Sequence, residues 1–349
     1  MPFPEFMAAA LYDPARGYYA RETRQVGRKG DFFTSVSVGP VFGMLLAERF
    51  LLWWWQAGSP PHWRILECGA HDGTLAADVL RALQSRSPEA LEGLDYVIAE
   101  PLPSLAAAQR ETLKLFPQAR VISALDSLEP LPGILFGNEL LDALPFVPLT
   151  WRSGQWVERR VALEDGRFTW QEGPAWGEFP TPPAPLPDSY QTEVRSNYVG
   201  FFEPRLATLS SGLMLWIDYG FARADYLAPE RTTGTLRTFS RHRAGENPLA
   251  DPGEVDITAH VDFTAAAEAA RSLGGIPSEF ANQGAWLTHL AAPWLRSMEA
   301  KPDPALLRQF LTLTHPAHLG ARFQVLEVTF GGEVSSAAIE RTGRRLGLP

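Results

Sequence analysis

Trp63-Arg64-Ile65-Leu66-Glu67-Cys68-Gly69-Ala70-His71-Asp72-Gly73-Thr74-Leu75 is the stretch whose reading decides the fold. Its first six residues form a largely apolar run closed by Gly69, which reads as a buried strand. Leu75, Val79, Leu80 and Leu83 then fall near the 3.6-residue period of a helix over about 74–86. Between strand and helix stand two glycines. Such a turn lets backbone approach a ligand closely while the helix N-terminus aims its free N–H groups the same way.

The alternation continues outward from this unit. Tyr96-Val97-Ile98-Ala99 reads as a second strand ending at Glu100. Ser104 can cap the next helix, which is expected to reach about Phe116 and to stop before Pro117. Residues 119–123 and 134–137 read as third and fourth strands, and 213–217 as a later one. Strands separated by helices predict a parallel, doubly wound α/β sheet. In such sheets the ligand crevice lies at the carboxyl ends of the strands. The candidate positions are therefore 67–73, Glu100, 138–142 and 218–220.

Two stretches break the alternation. Residues 151–170 read as a β-hairpin turning at Asp165-Gly166, followed by a proline-rich stretch at 180–187 and a helix over about 190–209. Residues 221–252, rich in Gly, Arg and Pro, read as a long loop.

Composition bounds the function. A chain of 349 residues, 45% hydrophobic, suffices for one large domain with insertions or for two smaller ones. The net charge of −9, with only Lys29, Lys114 and Lys301 as lysines, disfavours a phosphate-backbone partner. The single cysteine, Cys68, excludes an internal disulfide and a cysteine-cluster metal site, and leads us to expect a cytoplasmic protein. Residues 1–10 lack the pattern of a secretory signal. The most apolar run, 42–55, is interrupted by Glu48 and Arg49. It is too short to span a bilayer and reads as a buried helix ending in Trp53-Trp54-Trp55.

Three nucleotide-binding patterns compete for the 67–75 loop. A dinucleotide fingerprint would need glycines at His71 and Thr74, and a phosphate loop would need a terminal Gly-Lys. A methyltransferase loop fits better, with Glu67 two residues before Gly69 and Gly73 four after it. A purely structural turn explains the glycines about as well. Glu100 adds weight, because an acidic residue ending the second strand can accept both hydroxyls of a ribose.

Further runs accumulate along nearly the whole chain. They are Leu11-Tyr12-Asp13-Pro14, Gly17-Tyr18-Tyr19, Gly30-Asp31-Phe32 with Thr34-Ser35, Glu100 with Leu105 and Gln109, and Asn138-Glu139 with Asp142-Ala143-Leu144-Pro145. Later come Ile217-Asp218-Tyr219-Gly220, Gly234-Thr235-Leu236 and Asp256-Ile257-Thr258-Ala259-His260-Val261-Asp262-Phe263. In this order they resemble the MidA-like methyltransferases, a family that includes protein arginine methyltransferases.

The resemblance implies a Rossmann-like class I methyltransferase core with a mainly parallel sheet at 61–349, carrying insertions at about 151–190 and 221–260. A helical N-terminal extension, 1–60, would pack over the cofactor site. It further implies S-adenosyl-L-methionine as cofactor and a protein arginine as substrate, with no nucleic acid or membrane partner and a homodimer left open. Asp31, Thr34, Glu67, Gly69, His71, Gly73, Glu100 and Asn138 would hold the donor. Asn138, Glu139, Asp142 and Asp218 would serve catalysis, with Glu139 and Asp142 clamping a planar guanidinium.

Each role has a plainer counterpart. Residues 138–142 could merely cap a helix, Asp218 could cap a tight turn at Gly220, and Thr34 or Ser35 could cap a helix start. His242, Asp256 and His260 do not make a defined metal set, and no metal is expected. Two departures from the family stand out. Ala70 and His71 replace the family's Pro and middle Gly, and Gln324 stands where the family tends to carry Lys. A small-molecule methyltransferase, or a binding module that has lost catalysis, are the competing readings.

Overall fold

The computed structural model describes residues 1–20, 34–177, 186–240, 243–245 and 247–349. Helices α1 (Phe3–Tyr12), α2 (Ser35–Val38) and α3 (Val41–Gln56) precede the first strand. Then come β1 (Trp63–Cys68), α4 (Thr74–Arg86), α5 (Pro88–Glu92), β2 (Leu94–Ala99), α6 (Pro103–Leu113), β3 (Ala119–Ile122) and β4 (Leu131–Asn138). An inserted sheet follows, made of β5 (Val147–Arg152), β6 (Gln155–Glu164), β7 (Arg167–Trp176) and β8 (Gln191–Val194). The chain returns through α7 (Tyr198–Leu206), β9 (Leu209–Phe221), α8 (Arg223–Tyr226), β10 (Arg237–Ser240), β11 (Arg243–Gly245), β12 (Asp256–Thr258) and β13 (Val261–Asp262). It closes with α9 (Phe263–Ser272), β14 (Ile276–Asn282), α10 (Gln283–Leu290), α11 (Ala292–Ala300), α12 (Pro304–Thr314), β15 (Phe323–Phe330) and α13 (Ser336–Leu346).

Every residue of β1 is buried, as a central strand covered on both faces requires. The central sheet runs β14-β15-β9-β4-β1-β2-β3, with β13 attached to β9. β3, β2, β1, β4 and β9 are parallel, and β15 is antiparallel to both of its neighbours. The chain steps outward from β1 to β2 and β3 on one side, and to β4 and β9 on the other. The switch point therefore lies between β1 and β4. Cys68 pairs with both Ala99 and Gly137, and Asn138 pairs with Ile217. The segments that follow Cys68, Ala99 and Asn138 thus leave the sheet on one rim, beside Asp218 of β9.

Two apolar layers flank the sheet. On one face α3 lies against α4, where a Cβ on Gly43 would fall 2.6 Å from Asp78 Cβ. Trp53 and Trp54 flank Trp63 with ring centroids 6.0 and 6.4 Å away, while Trp55 remains 43% exposed. The apolar run at 42–55 is therefore a buried helix whose end packs on the first strand. The second layer holds α7, α9 and α13. Among the described residues no helix is long and apolar enough to cross a membrane.

The inserted sheet, ordered β7-β6-β5-β8, contains the expected hairpin. Asp165 and Gly166 both adopt positive φ, at 48° and 77°, as a tight two-residue hairpin turn demands. Helix α1 packs here, with Phe3 5.4 Å from Phe146 and 5.1 Å from Trp170 between ring centroids.

Several expectations change. The helix expected over 190–209 begins only at Tyr198, because 191–194 pair with β5 as strand β8. The supposed loop 221–252 contains α8 and the antiparallel pair β10–β11. Ser104 does not cap α6: Leu102 takes that position ahead of Pro103, and the Ser104 hydroxyl donates to Ala20 O instead, at 3.3 Å. That helix also ends at Leu113 rather than near Phe116.

Candidate active site at the switch point

The glycine turn is built from left-handed backbone. Gly69, His71 and Gly73 have φ of 74°, 47° and 82°, and Gly73 is the N-cap of α4. A Cβ on Gly69 would lie 3.0 Å from Leu140 Cδ1, so the loop after β4 closes directly on this turn. His71 follows the path that a glycine takes easily, at a cost of about 1 kcal/mol for a side-chain-bearing residue. Its carbonyl accepts from Gln109 Nε2 at 2.8 Å, and its imidazole lies beside Asp72, 3.8 Å away. Asp72 accepts the Thr74 N–H at the start of α4. Burial disfavours the Asp72 charge, but hydrogen bonds from His71 and Thr74 outweigh it and bring its pKa to about 2. His71 therefore adopts the left-handed conformation itself, with its carbonyl held by Gln109.

Glu100 is 5% exposed and accepts from Leu102 N at 2.9 Å and from Gln109 Nε2 at 3.0 Å, one donor on each oxygen. Burial raises its pKa against those two bonds. Each oxygen keeps capacity for another donor. Gln109 Oε1, beside it, is buried without a partner. A paired hydroxyl donor such as a ribose edge fits this arrangement. Glu67 is buried within β1, where the Tyr96 hydroxyl donates to it at 2.7 Å and burial pushes its pKa to about 7. It stands behind the turn, in the sheet.

At the end of β4 the acceptors concentrate. Glu139 has a φ of 52°, and its Oε1 accepts from Asn138 Nδ2 at 3.0 Å and from Ser35 N at 3.3 Å. Asn138 Oδ1 is buried with no donor. Burial pushes the Glu139 pKa to about 8, opposed by Asn138 and reinforced by Asp142. Burial likewise takes Asp142 to about 6, against the pull of Arg195.

Asp218, expected to face the crevice, is instead the foundation of this loop. Its Oδ2 accepts from Leu140, Leu141 and Asp142 N–H at 3.0, 2.7 and 3.2 Å, and its Oδ1 from Tyr219 N. Burial first, then the charges of Asp142 and Glu139, press its pKa upward. Arg195 braces the same loop through the carbonyls of Asp142, Leu144, Ala259 and His260. Asp218→Ala would strand three backbone N–H groups, at a cost of about 3 kcal/mol or more. Urea denaturation of the variant should show that loss, and an unchanged midpoint would remove Asp218 from its foundation role.

Glu139 also sets a pH signature. Its carboxyl binds a proton more tightly in the folded chain, at about 8, than at the ordinary 4.5. Its contribution to stability is therefore full below pH 4.5 and is lost as pH rises through about 8. Glu139→Gln keeps the Oε1 bonds and removes that loss. Without cofactor, the variant should melt above the parent at pH 8 and level with it at pH 4.5. Equal melting at both values would contradict the burial of this charge.

The other expected residues divide. Thr34 is a helix cap: its Oγ1 accepts from Ser37 N at 3.2 Å, and Ser37 Oγ accepts from Thr34 N at 3.0 Å. That spends its side chain on α2, and its neighbour Ser35 makes the link to Glu139. Asp31 and His242 lie outside the described residues. Asp256 accepts from Tyr19 and Ile257 N, while the His260 ring lies over Tyr219 at 6.3 Å and 11°. Among the described residues no cluster of His, Cys, Asp or Glu could hold a metal ion. Arg195 is the residue missed from sequence, whereas Ser35 and Gln109 stand in the quoted runs without the partners they meet here, Glu139 for Ser35 and Glu100 with the His71 carbonyl for Gln109.

Comparison with known proteins agrees with this geometry. Residues 45–279 match the family described as "Putative S-adenosyl-L-methionine-dependent methyltransferase". The chain is 29% identical over 366 residues to "Protein arginine methyltransferase NDUFAF7 homolog, mitochondrial" of Drosophila melanogaster, covering 93% of this chain and 80% of the relative. It is 25% identical to the Homo sapiens "Protein arginine methyltransferase NDUFAF7, mitochondrial", covering 98% and 82%. A crystal structure from Burkholderia thailandensis of a protein described as a "likely methyl transferase", bound to S-adenosyl-homocysteine, superposes with a TM-score of 0.83 at 29% identity, covering 98% of this chain and 91% of that one. These relatives overturn the expectation of a cytoplasmic protein, since several are mitochondrial by name. A lone cysteine reports reducing surroundings, not an address.

Proposed function

Because the chain belongs to the S-adenosyl-L-methionine-dependent methyltransferase family, and is itself such an enzyme, we propose that it methylates an arginine nitrogen on a protein. The observation that carries this reading is the acceptor-only cluster at the end of β4. Burial and the charge of Asp142 hold Glu139 at about 8, burial holds Asp142 at about 6 against Arg195, and Asn138 Oδ1 lacks a donor. A cationic, donor-rich group relieves all three at once. Relatives named as protein arginine methyltransferases support a guanidinium as that group.

Glu100, Gly69, Gly73 and the His71 backbone would hold the donor, with the Glu100 oxygens on ribose hydroxyls. Bound S-adenosyl-L-methionine supplies an electrophilic methyl group on a sulfonium. Everything else falls to side chains that position and neutralise. Asn138 Oδ1 accepts an N–H of the target and orients its lone pair. Glu139 offsets the target's positive charge and takes the proton that the nitrogen releases, a role suited to a carboxyl poised near pH 8. Asp142 adds charge from the far side, and Asp218 and Arg195 keep the loop in place. The extension 1–60 would close over the core of 61–349. Support comes from the Ser35 N–H on Glu139 and the Tyr12 hydroxyl on Ala143 O.

The test is chemical. The purified protein, methyl-labelled S-adenosyl-L-methionine and a pool of candidate proteins are incubated, and the proteins are hydrolysed to amino acids. Label should elute as methylarginine. Label confined to small molecules, or to another amino acid, would overturn the arginine reading.

A further inference from the structure

The run Leu11-Tyr12-Asp13-Pro14 with Gly17-Tyr18-Tyr19 takes no part in the chemistry above, yet its fold is tightly specified. Asp13 Oδ1 accepts from Ala15 N at 2.9 Å and from Arg16 N at 2.8 Å, and Gly17 N donates to Asp13 O at 2.8 Å. A Cβ on Gly17 would fall 2.6 Å from Asp13 N and 2.7 Å from Leu11 O, so no side chain fits there. The result is a reversal that lays Tyr19 on Tyr12, with ring centroids 5.6 Å apart and planes at 18°. Tyr18, 4% exposed, stands edge-on behind Tyr19 at 5.1 Å.

This turn bridges the two sides of the crevice. The Tyr12 hydroxyl donates to Ala143 O at 2.8 Å, in the loop after β4. The Tyr19 hydroxyl donates to Asp256 Oδ1 at 2.9 Å. Ala20 O accepts the Ser104 hydroxyl at the start of α6, four residues beyond Glu100. Both rings are only partly buried. The bond to Ala143 O, the residue after Asp142, sets the Tyr12 ring against the loop that carries Glu139 and Asp142, and burial with the charges of Asp256 and Asp142 raises its pKa against the pull of Arg195. Aromatic surface among carboxylates is an environment for a cation, and a planar guanidinium stacks on such rings.

We propose that Tyr12, backed by Tyr19, forms the aromatic wall of the acceptor slot, against which the target guanidinium lies. This rests on the arginine reading above. The wall acts through the electron-rich ring, whereas the hydroxyls of Tyr12 and Tyr19 fasten the turn. It is a specificity device. A neutral urea group of the same shape stacks on the ring without the cation–π attraction.

The test uses the full chain saturated with S-adenosyl-homocysteine. A capped pentapeptide with one central arginine is titrated calorimetrically, beside the same peptide carrying citrulline. The parent protein should prefer the arginine peptide about tenfold or more. Tyr12→Phe keeps the ring without the hydroxyl and is the reference for the next variant. Pentafluorophenylalanine at position 12 keeps the ring's size and reverses its electrostatics. It should weaken arginine-peptide binding about fivefold or more relative to Tyr12→Phe, with S-adenosyl-homocysteine affinity unchanged. Full arginine preference in the fluorinated protein would overturn the wall alone. A changed S-adenosyl-homocysteine affinity in it would also overturn the wall, moving the ring to the donor pocket. No arginine preference in the parent would overturn the arginine reading, and the wall with it.

Discussion

Glu139→Gln should lower turnover by about 100-fold or more while leaving affinity for S-adenosyl-homocysteine within about twofold. The amide oxygen of the variant can still accept from Asn138 Nδ2 and Ser35 N, the two bonds that seat the side chain. The fold of the loop is further secured by Asp218 beneath it. What disappears is a negative charge beside the target nitrogen and a group able to take its proton. Proton uptake matters only as the nitrogen reacts, so that part of the loss belongs in kcat, while the lost charge also weakens binding of the cationic target and raises KM. The pH profile should change as well. The parent rate should rise as Glu139 ionises toward pH 8, and the variant should lose that rise. Unchanged turnover would leave Glu139 a loop-seating residue. A large drop in cofactor affinity would place it in the donor pocket.

Glu100→Ala should weaken S-adenosyl-homocysteine binding by about 10- to 100-fold, the effect of losing a charged acceptor for two hydroxyls. The carboxylate is well prepared for that task. Leu102 N and Gln109 Nε2 fix its plane, and Gln109 in turn is held by the His71 carbonyl. This chain of bonds joins the end of β2 to the glycine turn after β1, so donor binding reads both strand ends together. Glu100→Gln separates charge from shape. It keeps an acceptor for Leu102 N and should fall between the parent and the alanine variant. Calorimetric affinities of both variants equal to the parent's would remove the ribose assignment.

The central sheet was legible because its signals are local and repeated. The apolar run of β1 and the glycine turn led directly to the crevice rim. Where pairing is non-local, the reading failed. Gln191-Thr192-Glu193-Val194 is too short to show its own period and becomes a strand only because β5 offers it an edge. The stretch after Phe221 looked irregular because β10 and β11 pair only with each other and with β12. At the site, residue type and strand end sufficed to pick Glu100, Asn138 and Glu139 as candidates. They left open whether Thr34 faces the donor or caps its own helix, and they did not reveal that Asp218 holds the N–H groups of the loop after β4. Nor could spacing show that Arg195 braces the loop from 53 residues away, since its partners are carbonyls that any residue supplies.

The most direct measurement is a crystal structure of this protein with S-adenosyl-homocysteine. The account predicts both ribose hydroxyls within about 3.2 Å of the Glu100 carboxylate, and the sulfur facing Asn138 Oδ1 and Glu139. A ribose bound away from Glu100, or a sulfur turned from the end of β4, would contradict it.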